Sequence, residues 1–594
     1  VTSLIQPSAA NSPGLAAFNA RTDLTKYGDN ALLLFALQIG LEVEDIDSIA
    51  TNSLTDGSDD KKCDLVYVDR DSGRAIVAQG YYSRKERSEA PANKASDLNT
   101  AAAWLLGTDS TVVPERLKPA QSELHEAICA EEIRRVEIWF VHNLPESKNV
   151  KEELEVARRT ARAHLDDAFP GNSVEEVFSR EIGRNTLDRW YRTSQVPILV
   201  TDEISVPAHG GFFEEGDNWE AYCTSVAAEW LTELFKQHGT DLFSANVRDY
   251  LGSINRDVNI NNNIKTTAEA SPDRFFAYNN GLTALVNEFV HPESPSDDFG
   301  IRGLSIVNGA QTTGALASSS ATAVSLAKAR VMIRFVKCSD QRVIQEIIQF
   351  NNSQNKIEAA DFRSNDKTQD QLRRQFKDIP EAEYKGARRG SEKDVIERRP
   401  NLIATQTAAQ AIAAFHGKPS IAYNETKRIW SSDEVYSQVF PEYISARHVV
   451  FCYSLLKAIE EAKLTLMSVP ATQRTDSQKK QLAFFQRRGS IVLMTTAVAS
   501  CLESILGRRI QDIWRLRYES NLSPRDAIAA WRPILLPMLS FVNQLDDALT
   551  GYLKNSEKNE SSIERFKQLV EATHQALPVG VYETFAASVT DSLS

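Results

Sequence analysis

Four segments between Asp241 and Asp378 concentrate the side chains whose chemistry stands out most: LFSANVRDYLG (Leu242–Gly252), FFAYNNGLT (Phe275–Thr283), LSIVNGAQTTGAL (Leu304–Leu316) and IIQFNNSQNKIEAADF (Ile347–Phe362). Asn-Gly pairs are turn signals, because both residues tolerate positive φ at little cost. That accounts for Asn280-Gly281 and Asn308-Gly309. It does not account for Gln311, Gln354 and Asn355, which prefer water unless they are hydrogen-bonded. An amide carries a donor and an acceptor together. Asn279, Asn280, Asn308, Gln311, Asn352, Gln354 and Asn355 therefore suit two tasks, bracing buried loops or reading a polar ligand such as a nucleobase. The residues alone leave both open.

Downstream, Tyr384, Lys385, Arg388, Arg389, Arg398 and Arg399 form the strongest local basic cluster of an acidic chain. Arg388 and Arg389 are candidates for contact with the phosphates of a nucleic acid or nucleotide. The interspersed Glu392, Asp394 and Glu397 fit a salt-bridged, solvated surface equally well. The nine histidines are isolated in sequence, without HExxH or another paired spacing. No GxxxxGK[ST], GxGxxG or GxSxG motif occurs, so no nucleotide-cofactor loop is expected. The six cysteines are scattered singly, with no CxxC pair and no histidine at metal-ligand spacing, which predicts a reducing compartment and no structural zinc.

Taken in order, the four amide-rich segments resemble the signature of the AIPR (abortive infection phage resistance) family. The matching residues are Asn246, Arg248, Leu251 and Gly252; Asn279, Asn280, Gly281 and Thr283; Asn308, Gly309, Gln311 and Thr312; and Asn352, Gln354, Asn355 and Asp361. Four ordered motifs are far more specific than a single glycine-rich loop. The resemblance covers the middle of the chain, extends to the N-terminal third, and reaches the C-terminal helices by position only. It implies a role in the defence of a bacterium against phage, with nucleic acid as a partner and a phage component or an operon-encoded protein as a trigger.

Proteins of this type often carry an N-terminal domain resembling the PD-(D/E)XK, or restriction-endonuclease-like, nucleases. Those enzymes place an Asp at the start of one strand and Glu-x-Lys or Gln-x-Lys on the next; the carboxylate holds Mg²⁺, and the lysine orients water or steadies the phosphate charge. In CDLVYVDRDSGRAIVAQGYYS the resemblance assigns Asp64 and Gln79 as metal-binding and catalytic residues. The lysine position is occupied by Tyr81, which supplies no cation. Lys85 shares the strand face but lies about 13 Å further along. Lys94, near the start of the next helix, is the better stand-in. Glu42, Glu44, Asp59 and Asp60 are further carboxylate candidates. Two functions follow, a Mg²⁺-dependent effector that cuts DNA or RNA, or a non-catalytic sensor or adaptor whose nuclease-like domain is degenerate; a third class, a small-molecule or nucleotide-processing enzyme built on the amide-rich domain, also stays open.

Several elements must position these residues. A dense apolar helix is expected over Asn30–Glu44, then strands CDLVYVD and GRAIVAQGYY around the Asp71-Ser72-Gly73 turn, a helix over Asn93–Leu106, and the strand RVEIWFVHN. A charged helix and the strands VEEVFSREI and VPILVTDEI complete a mixed-sheet α/β domain over residues 1–208. HGGFFEEG reads as a hinge, with a new helix near Asn218. An α/β AIPR core then runs over 209–423, with strands FFAYNNGLTALVNEF, LSIVNGA and ARVMIRFVKC, and an all-helical region over 424–594. That region suits an oligomerisation or partner surface. Hydrophobic residues at 42% and charged residues at 25% fit an ordinary globular protein, and a formal charge of −13 restricts any nucleic-acid site to a local patch or a metal. The N-terminal stretch lacks the basic start and apolar run of a secretory signal, and Ser490–Leu502 is too short to span a bilayer; a cytoplasmic location without membrane contact is expected.

Overall fold

The computed structural model describes residues 12–592 apart from 42, 44, 56–59, 71, 196–197, 199, 247–257, 291–298, 339, 341–342, 345–346, 348–362, 364–365, 385–401 and 574–579. The chain divides into two compact units, one formed by Val1–Ala17 with Asn185–Ile357 and the other by Phe18–Arg184 with Glu358–Ser594.

The second of these units begins with the helix Ala31–Leu41, whose residues from Ala31 to Ile39 are all buried. Such uniform burial follows from ALLLFALQIGL, which has no polar face to offer water. The helix packs on a four-stranded sheet made of β1 (Leu65–Asp69), β2 (Arg74–Tyr81), β3 (Arg135–His142) and β4 (Glu176–Ile182), in that spatial order. β1 and β2 form an antiparallel hairpin, while β2, β3 and β4 run parallel. Parallel neighbours require crossovers. The first uses the helices Ala92–Ala102 and Lys118–Cys129, the second the helix Lys148–Ala168, whose Val150, Leu154, Ala157, Ala161 and Leu165 recur at helical spacing on its buried face. The mixed α/β character expected for this region is present.

The remainder of the same unit is mainly helical, built around Thr405–Phe415, Ala446–Ser468, Ser490–Ser500, Pro524–Met538 and Ser556–Thr573, but the region expected to be all-helical also holds a short antiparallel pair, Arg517–Tyr518 with Val589–Thr590. Ser445 starts the longest of these by accepting the His448 backbone N–H at 3.2 Å. Charges are buried where it meets the N-terminal elements: Lys457 pairs with Asp45 at 2.5 Å and with Glu460 at 2.8 Å, and the Ser48 hydroxyl donates to Glu460 at 2.6 Å. Glu123 binds Arg488 at 3.1 Å and accepts from Tyr423 at 2.5 Å. Removing one partner of such a buried pair costs far more than the pair contributes, so these contacts fix how the sheet and the helices fit together.

The other unit is centred on a seven-stranded sheet. Its path is β5 (Val200–Val206), β10 (Phe299–Asn308), β8 (Leu282–Val286), β11 (Arg330–Cys338), β7 (Trp219–Ala227) and β6 (Phe212–Gly216), with β9 (Glu288–Val290) also pairing with β10. Three sequence expectations change here. The strand expected at VPILVTDEI is described over Val200–Val206 as β5, which pairs with β10 and so joins this sheet rather than the N-terminal one. HGGFFEEG is no hinge; Phe212–Gly216 is a strand hairpinned to β7, and the helix expected near Asn218 begins at Ala228. Gly216-Asp217-Asn218 supplies the turn, and the aromatic and β-branched residues of WEAYCTSVA favour a pleated surface over a helix. FFAYNNGLTALVNEF opens with a helical turn, Phe275–Tyr278, and becomes a strand only after Gly281, at φ 79°, has turned the chain.

Candidate functional site

The register of the N-terminal sheet brings together residues that lie far apart in sequence. Leu65 pairs with Ala78, and the Asp64 backbone N–H donates to the Ala78 carbonyl at 3.0 Å, so regular pairing stops at Leu65 and Asp64 sits beside Gly80 near the end of β2. Gln79 in turn pairs with Phe140, and Phe140 with Glu181. Tyr81 pairs with His142 in the neighbouring row. Asp64, Gln79, Tyr81, His142 and Glu181 therefore line one end of the sheet, where the parallel strands β2, β3 and β4 finish. In open α/β sheets this carboxyl end is where ligands bind.

Two polar groups shape this end. The Gly80 backbone N–H donates to Asp64 Oδ2 at 2.7 Å, which fixes that carboxylate at the edge of the hairpin. Gln79 is 6% exposed, and its Oε1 has no hydrogen-bond partner among the described residues. A buried acceptor left open is costly, by about 1–3 kcal/mol, and such groups are rare in native proteins. An oxygen donor there, one strand from a carboxylate, matches the all-oxygen ligand sets that hard cations such as Mg²⁺ prefer. Asp64 and Gln79 each offer oxygen, the atom type that the expected metal takes.

His142 and Glu181 were not among the sequence candidates. The His142 ring is fully buried; its Nδ1 accepts the Leu144 N–H at 3.2 Å, which leaves Nε2 to donate to Glu181 Oε1 at 3.1 Å. Glu181 also accepts the Ser147 N–H at 3.1 Å. Burial pushes the Glu181 carboxyl above its usual range, opposed by the His142 and Ser147 hydrogen bonds. Around this pair the loops are tied down. Asn143 accepts from the Ser83 N–H and donates to the Ser83 carbonyl, each at 2.8 Å, and buried Arg184 holds Glu86 at 3.0 Å. The signal in sequence was faint: a His at one strand end and a Glu at another, 39 residues apart, linked only by parallel pairing.

Lys94 stands in the first turn of the helix Ala92–Ala102, with Nζ 3.7 Å from Asp97. The same carboxylate lies 3.7 Å from Lys62, two residues before Asp64. The stand-in cation is thus engaged with Asp97 and shares it with a second lysine. Lys62 was missed because the loop that carries it gives no motif; its φ of 68° is unusual for a lysine.

In the other unit two of the amide motifs interlock. Asn279 Oδ1 accepts the Gly281 N–H at 2.9 Å, and Asn279 Nδ2 donates to Thr312 Oγ1 at 3.2 Å, joining the second segment to the third. Thr283 accepts from Arg334 at 3.0 Å. Gly309, at φ 99°, leads into the helix Ala310–Ala317, and a Cβ there would come within 2.6 Å of Leu282 Cδ2. These contacts give Asn279 a bracing role. Asn280 is exposed, between exposed Tyr278 and the turn, and Asn308 and Gln311 are half-buried at the strand-to-helix junction. Asn352, Gln354, Asn355, Arg388 and Arg389, with Arg248 and Asp361, lie outside the described residues.

One further sequence reading needs correction. A histidine does stand near a cysteine: His448 precedes Cys452 by four residues, with 3.4 Å between Nε2 and Sγ, and His416, isolated in sequence, meets His448 at 2.9 Å between their Nε2 atoms. No helix among the described residues is long and apolar enough to cross a membrane.

The fold and this strand-end arrangement define an α/β protein with a helical C-terminal region. Comparison with known families supports the AIPR family: the family model described as AIPR protein matches residues 243–531, just under half of the chain. No curated protein matches the chain, and no solved structure does.

Proposed function

We propose that the chain is an abortive-infection effector that cleaves DNA or RNA at the carboxyl end of the β2–β3–β4 sheet, using Mg²⁺ held by Asp64 and Gln79. The AIPR match supports the defence role. The observation that carries the site is the open, buried Gln79 Oε1 next to Gly80, whose N–H holds the Asp64 carboxylate. In a restriction-endonuclease-like reading of the sheet, the ion would supply Lewis-acid polarisation of the scissile phosphate. Asp64, fixed through Gly80, provides the charged ligand, and Gln79 a neutral one. Glu181, whose buried carboxyl favours its proton, is placed in the same row to accept or return a proton near the strand ends. Lys62 and Lys94, both beside Asp97, are the local cations; on encountering a nucleic-acid phosphate, either can exchange its carboxylate partner for it. The amide-rich sheet contributes recognition through exposed Asn280, just before β8, together with half-buried Asn308 and Gln311 at the end of β10.

A second reading, a sensor or adaptor that binds nucleic acid or a phage protein without cutting it, is favoured by Tyr81 at the lysine position and by the engagement of Lys94 with Asp97. Purified wild type and Asp64→Ala assayed on supercoiled plasmid and total RNA, with Mg²⁺, Mn²⁺ or EDTA, separate the two. Cleavage that disappears with EDTA and with Asp64→Ala supports the effector. Absence of cleavage even in the presence of phage lysate supports the sensor.

A further inference from the structure

Far along the chain from the strand-end site, in the helical region, three side chains with metal-ligating atoms converge. His448 and Cys452 lie four residues apart on the helix Ala446–Ser468, which stacks them on one face. His416 caps the carboxyl end of the helix Thr405–Phe415. His416 Nε2 is 2.9 Å from His448 Nε2, Cys452 Sγ is 3.4 Å from His448 Nε2, and one ligand atom from each residue lies within 4.8 Å of the others.

The surroundings decide which lone pairs point inward. His448 Nδ1 is 2.8 Å from the Leu516 carbonyl, which can only accept, so Nδ1 carries the proton and Nε2 presents a lone pair. A backbone carbonyl on the far nitrogen is the arrangement that orients metal-bound imidazoles. Trp514 stacks flat on His416, with 3.4 Å between ring centroids and 12° between planes, and so sets the direction of that ring. His448 and Cys452 are fully buried, while His416 and Trp514 are part-exposed, giving the cluster one side open to solvent.

A purely hydrogen-bonded account fits poorly. The single Nε2 lone pair of His448 would face two donors at once, an N–H from His416 and the Cys452 thiol. A cation at the centre would instead take one lone pair from each residue. For Zn²⁺ bound tetrahedrally at about 2.0 Å from nitrogen and about 2.3 Å from sulfur, the N···N and N···S separations are about 3.3 and 3.5 Å. The observed 2.9 and 3.4 Å are within a few tenths of an ångström of these. Two imidazoles and a thiolate suit a borderline-to-soft ion such as Zn²⁺ and disfavour Mg²⁺ or Ca²⁺.

We propose that His416, His448 and Cys452 bind one Zn²⁺-class ion, with a fourth position open on the His416 side. As the metal–sulfur bond forms, the Cys452 proton passes to solvent. The site ties the ends of two helices to the Ile513–Arg515 turn. The sequence signal was the i, i+4 pair in HVVFC, which lacks its second histidine until the fold supplies it.

The test uses the full chain, stripped with a chelator and titrated with Co²⁺. One equivalent should bind, with the intense visible bands of a tetrahedral ion and a near-ultraviolet thiolate charge-transfer band, and Zn²⁺ should displace it. Cys452→Ser should lose the charge-transfer band. His416→Ala, at the part-exposed ligand, should weaken binding by at least about 100-fold, the upper end of what losing an outer partner costs. Zinc-edge X-ray absorption of the wild type should report one sulfur and at least two imidazole nitrogens, and this reading needs no variant to fold. Binding of less than a stoichiometric amount, an oxygen-only shell, or unchanged spectra in folded Cys452→Ser would overturn the proposal.

Discussion

Two amide side chains at strand ends, Asn279 and Gln79, make opposite use of the same functional group. Asn279 spends both ends within the fold, its oxygen on the Gly281 N–H and its nitrogen on Thr312. Gln79, more deeply buried, keeps its oxygen open in the row that also holds Glu181. Polar residues in a motif therefore say little about function until their bonds are counted. An amide whose bonds are complete serves the turn it braces; one left incomplete at the carboxyl end of a parallel sheet is a reason to look for a ligand.

The largest effect expected from this contrast is on activity. Asp64→Ala should lower metal-dependent cleavage by about 10³-fold, the scale set by losing a preorganised electrostatic partner, while the circular dichroism spectrum stays that of the wild type. Cleavage that survives in Asp64→Ala would move the chemistry away from this sheet. Asn279→Leu should act on stability instead. It strands the Gly281 N–H and unlinks Thr312 at a cost of about 2–3 kcal/mol, seen as a melting transition lowered by about 5–10 °C. An unchanged melt would mean that Asn279, too, is held for a ligand.

What the sequence made legible follows the range of the interactions involved. The β1–β2 hairpin is local: alternating apolar residues flank a turn, and register follows. The dense helix Ala31–Leu41 and the helical last third were equally readable, because their periodicity lies within single elements. The His142–Glu181 pair, the His416–His448 contact and the membership of β5 in the second sheet depend on pairings between distant segments, which no local pattern encodes. Gly216-Asp217-Asn218 was readable as a hairpin turn, but the glycines just before it drew the reading toward a hinge.

A buried cation extends the comparison. Lys463 Nζ donates to the Thr51 carbonyl, and burial, with Arg488 adding to it, pushes its pKa down from 10.5 to about 7. Between those values the unfolded chain holds a proton that the folded chain has released, so stability should rise with pH across that window and the penalty should be fully present below about pH 7. From pH 7 to 9 the gain should be about 1–2 kcal/mol, below the ceiling of about 1.4 kcal/mol per pH unit for one group. Thermal melts of wild type against Lys463→Met test this: the rise should shrink in the variant, and an equal rise in both would assign it to other groups.

The smallest effect is the most discriminating. Gln79→Leu replaces the open acceptor with an apolar side chain of similar size. If the acceptor is held for a ligand, removing it should raise stability by about 1 kcal/mol, or about 2–4 °C in melting, because a buried unsatisfied group is lost. The same substitution should weaken Mg²⁺-dependent cleavage, and Gln79→Glu, which restores an oxygen and adds charge, should recover it at lower Mg²⁺. Stability and activity then move in opposite directions, whereas Asn279→Leu lowers the melt without touching the metal dependence. A melt lowered by Gln79→Leu with cleavage intact would place Gln79 beside Asn279 as a brace, and the metal site would lose its neutral ligand.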